Sequence, residues 1–141
     1  MKRILVISKH NACRSQMAEG WLSYYGKGVA EVASAGFNPD KLDMKAANAM
    51  MDAVIDITKY KSKGLNEFVE KDFDFIICLD HELESILPEF KGKPSIVKLN
   101  YPNLYEMNLP EKEEKQIYNS LRDDLENMSF DFIHEFIKPL Y

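Results

Sequence analysis

The sequence predicts an α/β protein: three layers, with a four-stranded parallel sheet between helices on both faces. Four short apolar runs, Ile4 to Ile7, Val29 to Ala35, Phe73 to Leu79 and Ser95 to Leu99, read as strands. The segments between them carry apolar residues at helical spacing. Strand and helix therefore alternate along the whole chain, the pattern of parallel strands joined by crossovers. With no repeat, linker or low-complexity tract, 141 residues fit a single domain, 1–141.

Taken in order, Ile4 to Ile7 is unbroken by polar residues and reads as a buried strand. A polar loop, Ser8 to Arg14, follows it. From Met17 the apolar positions Met17, Ala18, Trp21, Leu22 and Tyr25 recur at helical spacing, and the helix closes at Gly26 and Gly28. Val29 to Ala35 forms the second strand, ending at Gly36, and Asn38-Pro39-Asp40 is a turn. Asp43 caps a helix whose expected buried face is Ala47, Met50, Met51 and Val54. Ile55 to Ser62 is an irregular connection and Leu65 to Val69 a short helical piece. Phe73 to Leu79 is the third strand, and His81 to Leu87 a short helix stopped by Pro88. Lys91 to Pro94 is a loop and Ser95 to Leu99 the fourth strand. Asn100 to Pro110, with no period and two prolines, is long enough for a lid. A final helix starts at the acidic run Glu111 to Glu114, where carboxylates suit the helix dipole. Its apolar face is Ile117, Leu121, Leu125, Met128, Phe132 and Phe136.

In such a sheet, ligands sit beyond the carboxyl ends of the strands. The loops Ser8–Arg14 and Asn100–Leu104 both leave strand ends on that edge and can face each other. A loop feeding a helix N-terminus aims unpaired backbone N–H groups and the positive dipole end at one spot. Such a spot suits a phosphate-like anion, and Arg14 adds a bidentate fork. The net charge of −5 argues against a nucleic-acid partner, so an anion site must be built locally; Lys2, Arg3, Lys9 and Arg14 are the expected patch.

The apolar run near the start is too short for a signal-peptide core, and no stretch has the length for a membrane helix. Cys13 and Cys78 offer neither a disulfide framework nor metal-ligand spacing, so a reduced cytoplasmic setting with no cofactor or metal is expected.

The run from Ser8 to Trp21, SKHNACRSQMAEGW, resembles the phosphate-binding loop of the low-molecular-weight protein tyrosine phosphatases. It is most similar to their thiol-dependent arsenate reductase branch, in which Ser-Gln-Met-Ala-Glu-Gly follows the Cys, five residues, Arg pattern. Ser34-Ala35-Gly36, Ile55-Asp56-Ile57, Phe73 to Ile77, and Asn100-Tyr101-Pro102-Asn103 follow in the family's order, so the likeness covers nearly the whole chain. It implies the low-molecular-weight phosphatase fold. It also implies that Arg14 clamps an anion, that Asn11 braces the loop, and that Ser15 contacts the nucleophile position and caps the first helix. The backbone N–H groups of Lys9, His10, Asn11, Ala12, Cys13 and Arg14 would cradle the ligand: phosphate, arsenate, sulfate, or a phosphorylated partner. Neither nucleic acid nor membrane is an expected partner.

Departures from the family's pattern are concentrated in the chemistry. Ser8 stands where the family has its nucleophilic cysteine, and His10 where it has a glycine. Asn103-Leu104 falls where an aspartate and proline supply the general acid, and an amide cannot donate a proton to a leaving group. The reductase branch implies a redox cysteine pair after the third strand; here Cys78 comes about one position early and has no partner downstream. A thiol becomes a thiolate at a helix N-terminus, whereas a serine hydroxyl needs an adjacent base. The expectation is an oxyanion-binding pseudoenzyme. Two alternatives stand beside it: an active arsenate reductase or tyrosine phosphatase whose cysteine was exchanged for serine, and an interaction module that kept only the fold, with Lys9 and His10 filling the pocket.

His10 could act as base for Ser8, although residues two apart on a tight loop need not converge, or could add a charged donor to a bound anion and make binding pH-dependent. Cys13 is a lone thiol rather than a substitute nucleophile, Cys78 a core residue, and His81 and His134 helix residues rather than ligands. Tyr101, Tyr105 and Phe37 could line the mouth.

Overall fold

The central strand is β1 (Lys2–Ser8), whose Ile4, Leu5, Val6 and Ile7 are fully buried. A strand with a neighbour on each edge and a covering layer on each face has no solvent-facing side, hence its unbroken apolar run. The computed structural model describes residues 1–140. In it β2 (Ala30–Gly36) pairs with one edge of β1 and β3 (Phe75–Cys78) with the other, and β4 (Ser95–Lys98) lies outside β3. All pairings are parallel, giving the order β2-β1-β3-β4, with Ser8 opposite Gly36 and Ile7 opposite Cys78.

Side chains alternate between the two faces of β1. Ile4 and Val6 join a core with Met17, Leu22, Met50, Leu121 and Leu125. Those residues come from α1 (Arg14–Tyr25), α2 (Met44–Asp52) and α3 (Glu111–Phe132). Leu5 and Ile7 face the opposite way, into a smaller cluster of Leu65, Phe68, Phe73, Ile76 and Phe90. That face is covered by the short 3₁₀ turn Leu65–Glu67 and its flanking loops, so the helical layers are unequal. A four-stranded parallel sheet between helical layers is the predicted architecture.

Several local expectations shift. The buried face of α2 is Ala46, Ala47, Ala49 and Met50; Met51 is exposed and Val54 is 85% exposed. The helix stops at Asp52, and Val54 lies beyond it at φ 63°, so helical periodicity no longer sets its direction. Phe136 is exposed on the π turn Ile133–Ile137, because the wider turn at the end of α3 rotates the apolar stripe out of register. His81–Ile86 is a 3₁₀ helix, with Asp80 Oδ1 accepting from the Glu82 N–H at 3.2 Å. The expected basic patch is divided. Lys2 and Arg3 lie at the start of β1, pairing with Asp74 and Glu31, while Lys9 and Arg14 lie past its end. Five strand residues, Ile4 to Ser8, at roughly 3.3 Å each separate Arg3 from Lys9.

After β1 the chain crosses to β2 on one side, whereas β3 and β4 build outward on the other. The carboxyl ends of β1 and β3 therefore flank the switch point of the sheet, where connecting loops part and leave a crevice.

Candidate functional site: the loop after the first strand

Between Ser8, the last residue of β1, and Arg14, the first of α1, the chain ties its carbonyl groups outward. Lys9 O accepts from the Asn38 N–H at 2.8 Å, His10 O from Asp40 at 3.1 Å, and Ala12 O from Asp43 at 2.9 Å. Asn11 O accepts from Ser62 Oγ at 2.7 Å and from Gln16 Nε2 at 2.9 Å. Among the described residues, no protein acceptor takes the backbone N–H groups from Lys9 to Arg14. A run of amides left unpaired while their carbonyls are held away has the form of a nest, a geometry able to receive an anion, and it opens at the N-terminus of α1.

Asn11 holds this shape. Its φ of 50° lies in the left-handed region, which asparagine tolerates better than most residues. Asn11 Nδ2 donates to Ser15 Oγ at 2.8 Å and to Ser34 Oγ at 2.9 Å. Its Oδ1 accepts from the Lys63 N–H at 2.8 Å and from Gln16 Nε2 at 3.1 Å. One buried amide thus joins the loop to α1, β2 and the Lys61–Lys63 connection. Gly36, opposite Ser8 in the sheet, packs directly beneath: a Cβ there would meet Asn11 N at 2.7 Å and His10 C at 2.8 Å. Only a residue without a side chain lets the loop lie this close to the end of β2.

Ser8 is buried, and its Oγ lies 2.6 Å from Ser15 Oγ. His10 does not serve Ser8: its Nδ1 pairs with Asn38 O at 2.9 Å and its Nε2 with Glu106 Oε1 at 2.5 Å. Its ring is therefore engaged outside the loop, and neither expected use of that side chain, base or donor to the anion, is made here. Cys13 turns its thiol into the core, 3.9 Å from Met17 Sδ, and burial pushes that thiol well above its ordinary range. Of Cys13, only the backbone remains for ligand binding. Cys78 is also buried in the core, as expected, and its thiol is pushed up by burial.

Arg14 is only 2% exposed. Its Nη2 donates to Asp80 Oδ2 at 3.0 Å and its Nη1 to the carbonyl of Tyr101 at 3.1 Å. The guanidinium thus gathers the ends of β1, β3 and β4 at the switch point. Asn103 precedes the 3₁₀ turn Leu104–Glu106 and caps it with no side-chain hydrogen bond. That turn lies across the loop as a strap. Glu106 binds Lys9 Nζ at 2.9 Å as well as His10, and Tyr105 Oη donates to Asp40 Oδ2 at 2.6 Å. Hydrogen bonds from Lys9 and then His10 hold the Glu106 carboxyl down at about 2. The Tyr105 hydroxyl, bonded to Asp40, is pushed up to about 12. Of the residues expected at the mouth, Tyr101 contributes its backbone, Tyr105 joins the strap, and Phe37 packs against the second core cluster.

Residues 3–138 match the family described as low molecular weight phosphotyrosine protein phosphatase. The chain belongs to that family. Among its relatives is a glutaredoxin arsenate reductase from Synechocystis sp., 35% identical over 79 residues, which cover 56% of this chain and 60% of that protein. The matched stretch thus spans less than two thirds of that relative. A solved arsenate reductase in the phosphate binding state superimposes with a TM-score of 0.78 at 24% identity, over 96% of this chain and 98% of the other. A low molecular weight protein tyrosine phosphatase from T. tengcongensis gives a TM-score of 0.78 at 22% identity, over 96% and 100%. At these identities the two structures establish the shared fold.

Asp80 and Glu106, which reach the site from β3 and the strap, are missed by motif reading. A weak signal for Asp80 exists in the sequence: it follows the most apolar strand directly, on the sheet edge where such folds place their ligands. Glu106 has none, since a carboxylate in an aperiodic loop reads as solvated.

Proposed function

We propose that the loop Ser8–Arg14 binds a phosphate-like oxyanion and that turnover there is absent or very weak. The observation that carries this reading is the row of unpaired amides from Lys9 to Arg14 beside a buried guanidinium. The ligand oxygens would accept from those amides, with Ser8 Oγ and Arg14 completing the shell. Ala12 and Cys13 would contribute backbone only, and Asn11 and Ser15 would hold the loop in shape. A family relative solved in a phosphate binding state makes phosphate the first ligand to test.

Weak turnover follows from what surrounds Ser8. A serine attacks phosphorus or arsenic only when a base takes its proton, and the partner of Ser8 is another hydroxyl, Ser15. At the family's acid position, Asn103 carries no ionisable proton. Glu106, on the same strap, is held as a carboxylate and is equally unable to protonate a leaving group.

Calorimetric titration with phosphate tests binding, with saturable heat expected and its loss in Arg14→Ala. Hydrolysis of an aryl phosphate or thiol-dependent reduction of arsenate, well above a blank and abolished in Arg14→Ala, would overturn the weak-turnover half. Ser8→Cys separates the readings further. Restored hydrolysis would mean that a cysteine is all the site lacks and would favour an active enzyme carrying an exchanged nucleophile. An inert Ser8→Cys protein supports the present reading. An interaction module blocked by Lys9 and His10 is less supported, because Glu106 draws both side chains to itself.

A cytoplasmic or otherwise reducing setting belongs to the same proposal. It is supported by two free, buried cysteines, and no helix among the described residues is long and apolar enough to cross a membrane.

A further inference from the structure

The cations around the loop are already matched by the chain's own carboxylates. Arg14 pairs with Asp80 at 3.0 Å, the two side chains being 3% and 8% exposed, and Lys9 pairs with Glu106 at 2.9 Å. An arriving oxyanion therefore meets amide dipoles and a guanidinium that already has a negative partner. Register brings that partner to the loop. The Leu79 N–H donates to Ile7 O at 2.9 Å, so Asp80 leaves β3 level with the first residues after β1. One Asp80 oxygen accepts from Arg14 and the other from the Glu82 N–H at 3.2 Å. An ionised carboxylate is an acceptor only, with about four lone-pair directions. Asp80 thus keeps acceptor capacity and has no proton to give.

Two oxyanions of equal charge and similar shape differ at such a carboxylate. Hydrogen phosphate and hydrogen arsenate carry an O–H that can donate to it. Sulfate carries none at neutral pH, and would set a bare oxygen against a bare carboxylate inside a nearly closed site, where like charges are weakly screened. Resting on the oxyanion reading above, we infer that Asp80 is a specificity residue, selecting oxyanions that bear a proton and excluding sulfate. The carboxylate that neutralises Arg14 also reads the protonation of the ligand. Amides and guanidinium grip the unprotonated oxygens; Asp80 takes the remaining O–H.

The test is calorimetric titration of the full chain at pH 7, in a chloride buffer free of other oxyanions, with inorganic phosphate and with sodium sulfate. Wild-type protein is expected to bind phosphate at least about tenfold more tightly than sulfate, the scale of one unpaired polar group. Asp80→Asn leaves Arg14 a side-chain acceptor and offers the ligand an N–H donor, and should bring the two affinities within about threefold. Equal affinities in the wild-type protein overturn the inference without any variant, and so does a preference that survives in Asp80→Asn. Binding of both ions without discrimination leaves the oxyanion site standing and removes only the role of Asp80. Absence of heat with both ions in the wild-type protein removes the oxyanion reading and this inference with it.

Discussion

Arg14 and Asp80 lie 66 positions apart in sequence and meet in a nearly closed site. A lone guanidinium in that setting would be costly, and the carboxylate and the Tyr101 carbonyl are what make the burial tolerable. Removing one partner strands the other: Asp80→Ala should lose about 3–5 kcal/mol in urea denaturation, and a loss below about 1 kcal/mol would mean the pair is effectively solvated. Glu106 behaves differently because it is exposed. Its folded-state carboxyl sits at about 2, against an ordinary value of 4.5. A depressed carboxylate contributes stability that is fully present above its unfolded value and is lost as pH falls through the folded one. The Glu106 side of the strap should therefore hold from neutral pH down to about 4.5 and let go between there and about 2. A carbon-13 NMR titration of the Glu106 carboxyl should place its midpoint near 2, and one near 4.5 would show that the strap is not closed in solution. Ser8, Asn11, Arg14 and Ser15 could be singled out at this scale because they fall within eight consecutive residues that resemble a known loop, although Ser15 lies inside α1 and does not cap it as expected. Asp80 and Glu106 could not, since their partners are brought to them by folding.

Elements followed the periodicity wherever an element was long. β1 and α1 fall close to where apolar runs and helical spacing place them, because burial on both faces or along one stripe leaves a repeating mark. The errors came at ends: Val54 past α2 and Phe136 past α3, where a change of backbone conformation breaks the period being extrapolated. A glycine gave no such mark. Gly36 reads as a strand terminator, yet its importance lies in the loop lying against it, with Asn11 N only 2.7 Å from where a Cβ would stand. Gly36→Ala is expected to push the loop away from β2, costing about 1–3 kcal/mol of stability by thermal or chemical denaturation. It should also weaken phosphate binding more than Gly28→Ala, since Gly28 has open space around it and its cost is only its own φ of 81°.

At the scale of the whole molecule, the sheet order decides which loops meet. Placing β1 between β2 and β3 brings the first loop, the end of β3 and the strap to one edge, and puts both cysteines inside the core. Burial raises both thiols, so neither is a ready nucleophile in the folded state. Iodoacetamide at pH 8 should leave Cys13 and Cys78 largely unmodified in native protein and label both rapidly in denaturant, by intact-mass measurement. Fast native labelling of Cys13 would mean that α1 opens at its first turn. Local order by itself determined the strand–loop–helix whose geometry suits an anion and the alternation that requires a parallel sheet. These are properties of neighbouring residues, and a one-dimensional pattern records them. Which carboxylate answers the arginine, where the histidine ring points and what closes over the loop were decided only by the tertiary structure. Those contacts join segments tens of residues apart, and nothing in either segment alone specifies the other.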